Sequence, residues 1–159
     1  MPDPLIDAPL LGTWFIVRTS LPLWRRRDNP AVTYAPLPDG AIADLVTWRT
    51  GDRSGVIVGQ DRRDGADWVW RGVGPLTRRL SNRWRVLARD PKGDWALVHF
   101  DKTLVTGEGV DLYARRVDLD AGSIDAALVA LAGAGRAARF ATKLFTPRHD
   151  APRSGADRP

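Results

Sequence analysis

Between residues 13 and 116 the chain alternates short apolar runs with clusters of turn-forming residues, the spacing expected of antiparallel strands in a sandwich or barrel. Eight runs read as strands: TWFIVRTSL from Thr13, AVTYAP from Ala31, AIADLVTW from Ala41, GVIVGQ from Gly55, DWVWRG from Asp67, RWRVLARD from Arg83, DWALVHF from Asp94 and GVDLYARR from Gly109. Between them stand PDG at Pro38 to Gly40, TGDRSG at Thr50 to Gly55, RRDG at Arg62 to Gly65, DPKGD at Asp90 to Asp94 and VTGEG at Val105 to Gly109. Each supplies residues that tolerate positive φ or preset a turn, so consecutive strands are joined as hairpins.

After Asp120 the period lengthens. Ser123 stands as an N-cap, Asp125 sits in the first turn where the helix dipole favours an anion, and Ile124, Leu128 and Leu131 recur at helical spacing until Gly133 and Gly135 intervene. One helix of about ten residues follows from this. ATKLFTP, Ala141 to Pro147, reads as a short ninth strand. RHDAPRSGADRP, residues 148–159, reads as a disordered basic tail, which leaves one domain over 10–147 behind an N-terminal segment of 1–9.

Composition narrows the chemistry. With 43% hydrophobic residues and seven Trp in 159 residues, the chain has apolar surface for one real core. It contains no cysteine, which removes disulfide frameworks, thiolate metal sites and thiol nucleophiles. Only His99 and His149 remain as imidazole ligands, so no metal site is expected. No apolar run approaches the roughly 18 to 20 residues of a membrane helix, and MPDPLIDAPLLG lacks the basic start and apolar stretch of a signal peptide. A soluble, cytoplasmic protein without an integral membrane segment is the expectation, as a monomer or weak dimer.

The net charge of +5 invites a nucleic-acid reading until it is located. From residue 133 onward Arg136, Arg139, Lys143, Arg148, Arg153 and Arg158 face only Asp150 and Asp157, so the body is nearly neutral. That is not the continuous basic face that phosphate tracking needs, and no nucleic-acid partner is expected.

Gly12, Thr13 and Trp14 on the first strand form a GxW motif, and DLYARR ends the eighth strand on Arg115. With Gly93, Asp94 and Trp95 in a TDY-like position, Gly74–Pro75, Asp90–Pro91, the late helix and TKLFTP, the chain resembles a lipocalin over Leu10 to Pro147, nearest the bacterial and apolipoprotein D-like branch. The resemblance implies an all-β, eight-stranded up-and-down antiparallel barrel with one C-terminal helix packed outside and a short ninth strand. It also implies structural roles for Gly12, Trp14 and Arg115, with Trp14 plugging the closed end and Arg115 packed across it.

A barrel of this size holds one small ligand, so function lies in its inward residues. Carried over strand by strand, the family pattern points inward Val32 and Tyr34; Ile42, Asp44, Val46 and Trp48; Trp68 and Trp70; Arg83, Arg85 and Leu87; Ala96, Val98 and Phe100; Asp111 and Tyr113. Hydrophobicity argues the reverse on the late strands, where Trp84, Val86 and Ala88, Leu97, and Val110, Leu112 and Ala114 are the more apolar sets. The helix favours the family pattern, because its apolar stripe needs an apolar outer wall to cover.

On that parity Tyr34, Trp48, Trp68, Trp70 and Phe100 wall a site for a small hydrophobic molecule, and Arg85 reaches an anionic head group among Asp44, Asp111 and Tyr113. No cofactor is implied. Two other readings stand beside binding. One is a cofactor-independent cyclase or isomerase of bacterial secondary metabolism, with Asp111 and Tyr113 as the acid or base candidates and Arg85 stabilising a developing anion. The other is a haem-binding, nitrobindin-like barrel, which needs His99 or His149 as proximal ligand and lacks that family's later glycines, since Ile16 and Arg18 stand there. Trp24 and the Arg25–Arg27 run belong to the long first loop, which lids the cavity in lipocalins.

Overall fold

The computed structural model describes residues 8–104 and 106–150. Eight antiparallel strands follow one another around a closed barrel: β1 (Gly12–Thr19), β2 (Asp28–Pro36), β3 (Ile42–Thr50), β4 (Arg53–Asp64), β5 (Asp67–Gly72), β6 (Ser81–Arg89), β7 (Trp95–Phe100) and β8 (Gly109–Ala114), with β8 pairing back onto β1. The turn chemistry explains the order. Gly51 and Gly65 each take the first central position of a two-residue loop at φ 62° and 63°, a backbone the flanking strand twist requires. Among the described residues no helix is long and apolar enough to cross a membrane.

Helix α1 (Ala121–Ala132) lies outside β6 and β7. Its N-cap is Asp120, whose carboxylate accepts from Ser123 N at 2.8 Å, so Ser123 is a third-turn-position partner and not the cap itself. The buried line also differs from the expected one: Ala127 and Leu131 are buried, Ile124 is half-buried and Leu128 is exposed. Ala127 and Leu131, four residues apart, set the line that faces the wall, and Leu128 falls about 100° round the helix from Ala127, off that line. Beneath lie Val17, Trp95, Leu97, Val110, Leu112 and Ala114, joined by Ala137 and Phe140 of a 3-10 helix (Gly135–Lys143). That outer layer is separate from the barrel interior, so parity on β7 and β8 follows the helix as expected.

The ninth strand is reduced to one bridge, where Thr19 and Phe145 exchange backbone hydrogen bonds of 3.0 and 2.9 Å. Ala141 to Lys143 belong instead to the end of the 3-10 helix. Arg148–Asp150 correct the expectation of a disordered tail from 148. The Arg148 guanidinium pairs with Asp28, Asn29 N–H donates to Arg148 O at 2.8 Å, and Arg49 meets Asp150 at 3.0 Å. The rest of that segment, and residues 1–7 of the N-terminal one, lie outside the described residues.

Candidate functional site

The closed end is built by the three residues expected to build it. Trp14 is fully buried, and the Arg115 guanidinium lies 3.4 Å from its ring centroid while donating to Leu11 O at 2.7 Å and Thr13 O at 3.0 Å. Gly12 stands at φ 86°, and a Cβ there would come within 2.9 Å of Arg115 Nη1. The motif therefore needs glycine for backbone and for space at once.

Above this floor the lower barrel is packed solid. Trp68 stacks on Trp84 (5.8 Å between centroids, 18°), and Trp84 stacks on Tyr34 (5.6 Å, 25°). Trp68 is consequently in the core and lines no open space, contrary to its expected place on the ligand wall. The upper half is open. An inner chamber of about 140 Å³ is lined by Tyr34, Asp44, Asn82, Phe100, Asp111 and Tyr113 among others, and it runs into a vestibule of about 530 Å³ walled by Trp24, Trp48, Trp70, Trp84 and Phe100. Glycines on β4 make room for two of these indoles, since a Cβ at Gly55 or Gly59 would fall 2.2 or 2.0 Å from the rings of Trp48 or Trp70.

β6 reverses the family parity. Trp84 and Val86 face inward, whereas Arg85 and Leu87 lie on the outer wall, and Arg85 Nε pairs with Asp67 Oδ1 at 3.0 Å. Register is the cause: Trp84 is paired directly with Trp68 and Phe100, and paired residues share a face. A bulge between Val86 and Ala88 then turns Ala88 outward, so hydrophobicity predicts the first two positions of this strand and misses the third. With Arg85 gone, the anionic head-group site loses its carrier. Among the described residues lining the two spaces, Arg27 is the one cation, stacked 4.3 Å over Trp48 at the rim.

The chamber is instead rich in buried carboxyls. Asp111 is 2% exposed and accepts a 2.5 Å hydrogen bond from Thr19 Oγ1. A bulge in β1 after Ile16 puts Thr19 there, by turning Arg18 away from the interior. Burial pushes the Asp111 carboxyl up to about 7, against the opposing pull of Thr19. Asp44 is raised well above the carboxylate range by burial and by the charge of Asp61, with which it shares a hydrogen bond. Asp61 is fully buried, raised by the same desolvation, and accepts from Trp84 Nε1 at 2.9 Å. Burial and their mutual charge thus favour a proton held between the two carboxyls over two adjacent anions. Tyr34 and Tyr113 hydroxyls lie 3.3 Å apart, and burial raises both phenols well above their ordinary value.

Asp61 escapes a reading that ends the fourth strand at Gln60; period-two alternation through Ile57 and Gly59 to Asp61 is the signal that finds it. Thr19 and Asn82 carry no such signal, because a bulge places the first and the register of β6 the second. Trp24 closes the mouth from a short 3-10 turn (Pro22–Arg26), edge-on to Trp48 at 6.2 Å. Neither histidine reaches the interior. His99 Nε2 pairs with Glu108 Oε1 at 2.9 Å on the outer wall, and His149 Nε2 meets Ile16 O at 2.8 Å beside Phe15. A proximal haem ligand is therefore not available from His99 or His149, and the residues present do not fit that group.

No protein-family model matches the chain, and no curated protein matches it. Solved structures do. Apocrustacyanin C1 superposes with a TM-score of 0.71 at 8% identity, covering 90% of this chain and 79% of that one. Apocrustacyanin C2 gives 0.70 and lobster apocrustacyanin A1 gives 0.69, each at 9% identity over 89% of this chain and 78% of the other. At such identities the likeness concerns the fold, which is that of a lipocalin-like barrel.

Proposed function

We propose that this protein binds one small hydrophobic molecule in its barrel, body in the indole-walled vestibule and one polar end in the inner chamber. The observation that carries the reading is the continuity of the two spaces above a packed floor, at a size and polarity suited to such a ligand. The crustacyanin likeness supports a lipocalin-like barrel, a form with room for one small ligand, and Gly12, Trp14 and Arg115 agree with the lipocalin motifs; a place beside the bacterial and apolipoprotein D-like members is part of the same proposal. Native mass spectrometry of gently purified protein tests it: a stoichiometric extra mass, lost on denaturation and weakened by Trp48→Ala, is the expected result. A barrel that neither carries nor takes up any apolar probe overturns it.

One observation favours a second reading, cofactor-independent cyclisation or isomerisation. Asp111 faces the chamber with a carboxyl that titrates near neutrality, where a general acid or base works best. Tyr113 would orient substrate, since its raised phenol makes it a poor base. Turnover abolished by Asp111→Asn with affinity retained would separate this reading from binding alone.

A further inference from the structure

We infer that the barrel takes an organic cation: an apolar molecule whose ammonium head is received by Asp44, Asn82 and Asp111 and whose body lies among the vestibule indoles. This rests on the binding reading above and specifies its ligand class. The argument begins with polar atoms that lack partners. Asp44 is 5% exposed, lines the inner chamber, and leaves Oδ1 buried without a hydrogen-bond partner; Asn82 Oδ1, on the same chamber wall, is buried and unpartnered too. Both are acceptors. A buried acceptor left unmatched is costly, and both of these want a donor.

An ammonium group brings three donors and a charge. A carboxylate would meet Asp44 and Asp111, with Asp61 behind Asp44, and no cation stands among the described residues lining the inner chamber to offset them. A neutral carbonyl is poorly served, because Thr19 already directs its hydrogen at Asp111; a hydroxyl brings one donor to these acceptors where an ammonium brings three, and it brings no charge for an ionised Asp111 to meet. The unpartnered donor on this wall, Trp24 Nε1, is turned toward Asp111 and favours its anion. The vestibule shows the same preference, for its Trp48 face already receives a cation in the guanidinium of Arg27. The inner chamber, about 140 Å³, compares with the roughly 150 Å³ that accommodates benzene, enough for a substituted ammonium.

Binding then expels a proton. Asp111 is faced by Thr19 from β1, Trp24 from the lid turn, Tyr113 along β8 and, across the chamber, Asp44 backed by Asp61. Only the ammonium among candidate heads gains when these carboxyls ionise. Amine affinity should therefore rise with pH through neutrality, whereas affinity for an anion falls.

Isothermal titration with 4-phenylbutylamine, 4-phenylbutanol and 4-phenylbutyrate at about pH 6 and about pH 8 tests this, the amine remaining protonated throughout. The amine should bind about tenfold tighter than the alcohol at the higher pH, and at the lower pH should release a proton that shows as a buffer-dependent enthalpy. Asp44→Asn combined with Asp111→Asn should erase the amine's advantage over the alcohol, an unchanged circular-dichroism spectrum reporting that the barrel still folds. Alcohol or butyrate binding as well as the amine, or an amine advantage that survives the double variant, overturns the cation assignment and leaves the hydrophobic cavity standing. Failure of all three and of the neutral dye Nile red to bind overturns both.

Discussion

Arg115 closes the barrel with one planar group that does two jobs, covering the Trp14 face and filling two backbone carbonyls of the entering chain. Neither job transfers to lysine, whose ammonium is a point donor without a stacking plane. Arg115→Ala should lower stability by about 2–3 kcal/mol and Arg115→Lys should recover only a minor part of it, both read from urea unfolding midpoints. Gly12→Ala should cost about 1–2 kcal/mol, from positive φ and from the approach of its Cβ to the same guanidinium. In the chamber the same scale of argument turns on desolvation: Asp111 is held in a place where its charged form is costly, and Thr19 offsets only part of that cost.

Strands show how far an alternating pattern carries. Eight runs of the right length with turn residues between them read as antiparallel strands of a sandwich or barrel, the resemblance carried by Gly12, Trp14 and Arg115 chose the barrel, and the need to cover the helix pointed to the faces of β7 and β8 that turn outward. What alternation cannot supply is register. On β6 hydrophobicity favours Trp84 inside and the family pattern favours Arg85; the pairing of Trp84 with Trp68 and Phe100 decides it, and that is a property of three strands together. Bulges in β1 and β6 shift phase in mid-strand, so Thr19 and Ala88 are out of reach of a period count. The consequence is measurable. Arg85→Ala should leave uptake of an apolar probe unchanged, whereas Trp48→Ala should weaken it by about tenfold, by fluorescence titration. At the helix, Asp120→Ala removes the cap on Ser123 N and should cost about 1 kcal/mol by thermal unfolding.

For the whole molecule, three buried carboxyls make the barrel less stable as pH rises. Asp111, Asp61 and Asp44 all have carboxyls raised in the folded state, so below the ordinary carboxylate range both states are protonated and the burial costs little. Between about pH 4 and pH 7 the unfolded chain sheds protons that the folded chain keeps, and the free energy of unfolding falls. Asp111 alone, raised to about 7, accounts for of order 4 kcal/mol of that fall. Lowered carboxyls at the surface, Asp28, Asp39, Glu108 and Asp120, act in the opposite sense on the acid side, so maximal stability belongs at about pH 4. Thermal unfolding followed across about pH 4 to 8 should therefore show a midpoint that declines toward the alkaline end, with a shallower decline in Asp111→Asn. A flat or rising midpoint would mean that water or a bound group already neutralises the chamber. An ammonium ligand acts on the same balance from the other side. It pairs with the ionised carboxyls, so its stabilising effect should be largest at the alkaline end, where the empty barrel is weakest.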